Sequence, residues 1–147
     1  MTALTTSFAT GHVGLNVADL ERSIDFYSRV FGWSVSGRGD GYAFLSDESR
    51  LVVTLWAQSA GAFSPRTPGL HHLSFEVESV DDVQAVEARV REAGTRVHHD
   101  GIVPHAEGAS SGGLFFEDPD GIRLEVFTGA DVHGTAPAGA APTCGFF

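Results

Sequence analysis

The chain reads as an α+β protein made of two consecutive βαβββ modules. Three observations predict this. Apolar residues recur at strand spacing, then at helix spacing, then at strand spacing again, and the whole order occurs twice. His12-Val13-Gly14-Leu15-Asn16-Val17 aligns with His72-Leu73-Ser74-Phe75-Glu76-Val77, 60 positions further on. Each half is too small to bury a good core alone, so the halves must pack on one another or on a second chain.

Residues 1–9 are small and polar and form a lead-in. The first module spans 10–56. His12–Val17 alternates as a strand, with Val13, Leu15 and Val17 on one face and His12 and Asn16 on the other. Asp19 is suited to cap a helix. Leu20, Ile24, Tyr27 and Phe31 follow at helical spacing, and Gly32 stops the helix. Short strands are expected at Trp33–Ser36, Tyr42–Leu45 and Arg50–Trp56, with turns at Gly37–Gly41 and Ser46–Ser49. The Gly37-Arg38-Gly39-Asp40-Gly41 run is not a phosphate loop, because no helix start follows it.

Residues 57–69 carry Gly, Pro and Ser and form a linker. The second module spans 70–128. Leu70–Val77 is a strand, and Ser79 with Asp82 makes a variant capping box. Val83, Val86, Val90 and Ala93 mark a helix face that Gly94 ends. Strands are expected at Thr95–His98, Gly113–Phe116 and Arg123–Phe127, with Pro104–Gly112 as a polar loop. Asp118-Pro119-Asp120-Gly121 is a tight turn: Pro119 fixes φ, the Asp side chains take nearby amides, and Gly121 supplies positive φ. Residues 129–147 are a flexible Gly/Ala/Pro-rich tail whose end, Cys144-Gly145-Phe146-Phe147, is apolar enough to dock.

A net charge of -10 excludes clustered phosphate neutralisation, so neither nucleic acid nor an anionic membrane surface is expected as a partner. No apolar run is long enough to span a bilayer, and no basic leader precedes one, so a cytoplasmic location is expected. With one cysteine, Cys144, no intrachain disulfide can form.

Glu125 stands among apolar residues on the last strand. A carboxylate there is costly unless paired, hydrogen-bonded or bound to a metal. The repeat makes His12 and His72 equivalent, each at the start of its module's first strand. Two imidazoles and a carboxylate can hold one face of a divalent ion and leave other positions open. His71 adjoins His72, so at most one of them faces inward, and the repeat selects His72. His105, in the polar loop, is a candidate acid or base. Strand alternation adds Asn16, Thr54, Trp56, Phe115 and Phe127 as candidate pocket residues.

The paired modules, with GHVGLNV, GLHHLSFEV and FFEDPDGIRLEVF, resemble the vicinal oxygen chelate superfamily, which includes glyoxalases, extradiol dioxygenases and bleomycin-binding proteins. The resemblance covers about residues 10–128. It implies a curved, partly open mixed β-barrel with a divalent metal on His12, His72 and Glu125. Fe(II) is favoured, with Mn(II), Zn(II) or Ni(II) as other choices. It also implies a small substrate that chelates through adjacent oxygens, and the aromatic pocket candidates suit a planar or apolar one. A homodimer is expected, with the site either closed within one chain or taking His12 from the partner in a swapped dimer. Aligning RLEVF with RLVVT puts Val52, which cannot ligate, where glyoxalases place a fourth ligand. Dioxygenase-type oxidation therefore leads, followed by glyoxalase- or epimerase-type chemistry. A metal-free protein sequestering an aromatic compound is the non-catalytic reading. The dioxygenase likeness is incomplete: Phe115 replaces a Tyr of that signature, and no His occurs at 57–60. A fosfomycin-modifying role fits less well, because Lys and Arg number only 9.

Overall fold

The computed structural model describes residues 5–139 and 141–145. The duplication is present in full. The first module runs β1 (Val13–Asn16), α1 (Leu20–Phe31), β2 (Ser34–Gly39), β3 (Tyr42–Ser46) and β4 (Leu51–Trp56). The second runs β5 (Leu73–Glu76), α2 (Val80–Ala93), β6 (Val103–Pro104), β7 (Gly112–Glu117) and β8 (Arg123–Thr128). Each makes a four-stranded mixed sheet of the same order, β1-β4-β3-β2 and β5-β8-β7-β6. The first and last strands of each module pair in parallel, and the other pairs are antiparallel. No strand pairing joins the two sheets among the described residues, so the barrel is open.

Both helices obey their local signals. The Asp19 side chain accepts from the Arg22 amide at 3.0 Å, and Gly32 ends α1 with φ 75°. Ser79 accepts from the Asp82 amide at 3.2 Å, and Gly94 ends α2 with φ 78°. A residue with a Cβ would be strained at both stops.

The helices pack against each other and against the sheets of their own modules. One continuous core results. It takes Leu15, Val53 and Leu55 from the first sheet, Leu114, Leu124 and Val126 from the second, and Phe26, Val30, Val83 and Val90 from the helices. Neither half could bury this surface alone, which meets the packing requirement set by their size.

The β7–β8 turn fastens the modules together. Asp118 accepts from the amides of Asp120 at 2.8 Å and Ile122 at 2.9 Å, and from the Tyr27 hydroxyl of α1 at 2.9 Å. Asp120 takes Arg22 of α1 at 2.8 Å. Gly121 has φ 83°.

Some expectations shift. No strand forms over Thr95–His98. Val97 makes a single bridge to Phe116, and then His99 and Asp100, at φ 57° and 60°, turn the chain away. The second strand of that module is instead β6, whose Pro104 is the first residue of the expected loop. In the first module β2 continues through Gly39, so the turn contracts to Asp40-Gly41. The tail is anchored in places: Val132 and Thr143 are buried, and a 3-10 turn spans Thr143–Gly145. The expected docking of Phe146 and Phe147 lies outside the described residues, as do residues 1–4 of the lead-in. No helix among the described residues is long and apolar enough to cross a membrane.

Candidate metal centre

Along β8, Leu124 and Val126 point into the core, so alternation turns Glu125 to the opposite face. That face is not open water: Glu125 is only 4% exposed. Two histidines compensate the buried carboxylate. His105 Nε2 lies 2.6 Å from Oε1, and His72 Nε2 lies 3.4 Å from Oε2. Each oxygen thus has its own imidazole.

His72 enters from the residue before β5, where Ser74 is the register partner of Glu125. His71 is exposed, and its Nδ1 meets His72 Nδ1 at 2.7 Å, which leaves His72 Nε2 facing the carboxylate. Burial pushes the His72 imidazole below its ordinary pKa and outweighs the opposing pull of Glu125. The ring is therefore neutral near pH 7, the form that ligates metals.

His105 follows β6, and its amide donates to the Ser111 carbonyl at 2.9 Å across the loop. Its Nδ1 meets the Ser111 hydroxyl at 3.0 Å. With a carboxylate as acceptor, the proton of that contact sits on Nε2. Phe115 and Phe127 flank the ring at centroid distances of 6.2 and 5.4 Å. Phe115 is fully buried beneath the site, whereas Phe127 is half-buried on the face of Glu125.

A third donor comes from the tail. Ligand atoms of His72, Glu125 and Cys144 all lie within 4.8 Å of one another. Burial, and then Glu125, push the Cys144 thiol up from its ordinary pKa. Donors sharing one ion at about 2.0–2.3 Å sit about 3–4 Å apart, so the 3.4 Å between His72 and Glu125 fits a common cation. Imidazole, carboxylate and thiol are the usual donors for such an ion, and the set fits a divalent metal.

His12 is not in this group. It is exposed and precedes β1 on the other sheet. Asn16, Thr54 and Trp56 lie on that sheet too, so one chain does not bring the candidate pocket residues together. Thr54 is buried and its hydroxyl accepts from Trp56 Nε1 at 2.9 Å. Tyr42, Phe44 and Trp56 form an aromatic cluster there, with centroids 5.3 to 6.2 Å apart.

The strand register also corrects the internal alignment. Gly14 faces Thr54 in the first sheet as Ser74 faces Glu125 in the second. The counterpart of Glu125 is therefore Thr54, not Val52. A bulge between β3 and β4, where Leu45 pairs Val53 but Ser46 pairs Leu51, accounts for part of the offset. Val52 instead lines a cleft of about 890 Å³ with Val13, Trp33, Arg50, Leu73 and Phe75. None of the three donors lines that cleft. From the sequence Cys144 ranks low as a ligand, because it lies in a Gly/Ala/Pro-rich tail. Its attachment through Thr143 depends on carbonyls 38 and 39 positions away, which no local pattern signals.

Two mirrored mixed sheets with a carboxylate on the last strand define a class, and comparison with known proteins agrees. Residues 9–126 match the model of the Glyoxalase/Bleomycin resistance protein/Dioxygenase superfamily, and the chain belongs to that superfamily. It is 34% identical to the trivalent organoarsenical cleaving enzyme of Bacillus sp. (strain MD1), over 90% of this chain and 80% of that protein. It is 25% identical to catechol-2,3-dioxygenase of Bacillus subtilis (strain 168), over 86% of this chain but only 44% of that longer protein. Among solved structures, a glyoxylase/bleomycin resistance protein/dioxygenase domain from Frankia sp. EAN1pec superposes with a TM-score of 0.67 at 30% identity. That match covers 84% of this chain and 99% of the other.

Proposed function

We propose that the protein is a metal-dependent enzyme that binds a small substrate through two adjacent oxygens and carries out a dioxygenase-type oxidation. The observation that carries this reading is the arrangement about Glu125, a buried carboxylate with a separate imidazole at each oxygen. Here Oε2 and neutral His72 Nε2 form a ligand edge, while His105 holds Oε1 and fixes the carboxylate's rotation. His12 of a second copy is the third ligand in this reading, delivered with the face that carries Asn16, Thr54 and Trp56. The divalent ion, Fe(II) first and Mn(II), Zn(II) or Ni(II) otherwise, supplies Lewis acidity and open positions for a chelating substrate and dioxygen.

The chain's own residues have distinct tasks. His72 and Glu125 bind. His105 orients Glu125, and its proton is shared with a carboxylate oxygen beside the substrate space. Phe127 and the Tyr42, Phe44 and Trp56 cluster offer flat apolar walls that suit an aromatic substrate and exclude water. Thr54 at the position matching Glu125 supplies a neutral hydroxyl already engaged by Trp56, which disfavours the four-ligand glyoxalase pattern. The likeness to a catechol dioxygenase supports oxidation, and the likeness to an organoarsenical-cleaving enzyme names a second substrate class to try.

The test is metal analysis of protein purified without chelator, followed by oxygen uptake. Stoichiometric divalent metal, lost in His72→Ala and in Glu125→Gln, is expected. Fe(II)-loaded protein is then expected to consume oxygen with a catechol or a trivalent organoarsenical. Bound metal without uptake on either panel removes the oxidative reading and leaves lyase or isomerase chemistry. Absence of metal, with an aromatic compound bound on the Trp56 face, favours a sequestering protein instead.

A further inference from the structure

We infer that Cys144 is a donor of the metal site, so that one chain offers a thiophilic divalent cation an imidazole, a carboxylate and a thiolate. The inference rests on the reading of His72 and Glu125 as ion ligands and adds a third donor from the tail. The thiol is delivered by a built attachment. Thr143 is 1% exposed, and its hydroxyl lies 2.8 Å from the Pro104 carbonyl and 2.9 Å from that of His105. Its amide donates to the same His105 carbonyl at 2.9 Å. The next residue is Cys144, within 4.8 Å of the His72 and Glu125 ligand atoms. The tail is thus tied to the backbone of the residue whose ring holds Glu125.

Charge supports the same assignment. A neutral imidazole, a carboxylate and a thiolate sum to two negative charges and balance a divalent ion. With Glu125 nearly buried, such neutrality lowers the cost of holding charge out of water. The donor set also has a preference. Thiolate sulfur favours Co(II), Zn(II), Cd(II) and Fe(II) over Mg(II), Ca(II) and Mn(II). On binding, the thiol proton passes to solvent as the sulfur joins the ion. Bringing three donors onto one cation requires a closing of about 1 Å from the present spacing, within the reach of a side-chain rotation.

Cobalt reads this directly. The full chain, kept reduced by a phosphine, is titrated with Co(II) and followed by absorption. A near-ultraviolet thiolate-to-cobalt charge-transfer band is expected together with visible d–d bands, and it can arise only from Cys144, the single cysteine. In Cys144→Ser the charge-transfer band disappears and the d–d bands remain. Cd(II) affinity falls by about tenfold or more in that variant, while Mn(II) affinity stays within about twofold. In the unaltered protein, Cd(II) protects the thiol from iodoacetamide, a readout that needs no variant. If d–d bands appear and vanish in His72→Ala, yet no charge-transfer band is seen, Cys144 is not a donor and the ion site of His72 and Glu125 stands. If Co(II) gives neither set of bands, both readings fall.

Discussion

Glu125 Oε1 lies 2.6 Å from His105 Nε2, and through this contact the β6–β7 loop holds the orientation of a carboxylate on β8. The histidine stands 20 positions away in the chain and is itself held by Ser111. The orientation of the carboxylate is thereby set from outside its own strand.

Removing that support has two consequences. His105→Ala leaves one oxygen of a nearly buried carboxylate without its imidazole, at a cost of about 1–3 kcal/mol in folding stability. Divalent-metal affinity is expected to fall about 10–100-fold, as when a partner that orients a ligand is lost. Urea denaturation and a metal titration measure the two effects. His105→Gln, whose amide can still donate to Oε1, should recover part of both. Unchanged metal affinity in His105→Ala would remove the orienting role.

The contact between Tyr27 and Asp118 carries a pH dependence. Burial raises the Asp118 carboxyl to about 6, against an ordinary 3.8, despite three hydrogen bonds that favour the carboxylate. The folded state therefore holds this proton more tightly than the unfolded chain. The contribution to stability is full below about pH 4 and is lost as pH rises through about 6, with a total of about 3 kcal/mol. His72, His98 and His99 are all held below their ordinary value by burial, so their contribution is lost as pH falls below about 6.5, the opposite sign. The difference between the native protein and Asp118→Asn isolates the carboxyl. In urea titrations at several pH values, the native protein is expected to lose stability relative to the variant between pH 4 and pH 6.5. A constant difference across that range would show that Asp118 is ionised throughout.

The parts legible in the sequence were those set by neighbouring residues. Asp19 and Gly32, and Ser79 and Gly94, bound their helices because capping is decided within four residues. The Asp118–Gly121 turn was legible for the same reason, and so was the repeat. What escaped depended on contacts across the fold. Thr95–His98 has strand-like residues, but the left-handed backbone at His99 and Asp100 ends its pairing after one bridge. The bulge opposite Ser46 accounts for one of the two residues by which matching RLVVT with RLEVF misplaced Val52 for Thr54. Cys144 reaches the site because one hydroxyl, Thr143, finds two carbonyls 38 and 39 positions away, and no local pattern announces that.

Gly113 is predicted to be intolerant of any side chain. It pairs with Phe127 in the register that also sets Phe115 opposite Glu125. A Cβ there would lie 2.3 Å from the Val126 carbonyl oxygen and 2.8 Å from Phe127 Cα, both backbone atoms that cannot swing aside. Gly113→Ala should force β7 and β8 apart at a cost of about 1–3 kcal/mol, as overpacking generally does. Because Glu125 is two residues away on β8, metal affinity should fall as well. Gly129→Ala, where a Cβ meets nothing within 4 Å, is the matched control and should change neither quantity. Equal behaviour of the two variants in thermal unfolding would show that the strands adjust without strain.

The last prediction concerns His12, which the repeat equates with His72 but which one chain leaves exposed on the other sheet. In the reading proposed above, the exposed imidazole on one sheet and the carboxylate–imidazole pair on the other are complementary parts of one shared site. Two copies related by a twofold axis would join them twice, each chain giving His12 to one site and His72 with Glu125 to the other. Complementation distinguishes this from a site closed within one chain. His12→Ala and Glu125→Gln should each lose metal affinity when prepared alone. In co-expressed mixed dimers, one site carries both defects and the other carries neither. At a free-metal concentration that fills the native protein but neither variant, random pairing of equal amounts should restore about one quarter of the native metal content. Separately tagged chains allow the mixed dimer to be isolated, where about half of the sites should fill. A site confined to one chain gives no recovery in any mixture. Native affinity in His12→Ala alone would show that this residue does not ligate, and the donor set would then be His72, Glu125 and whatever the tail supplies.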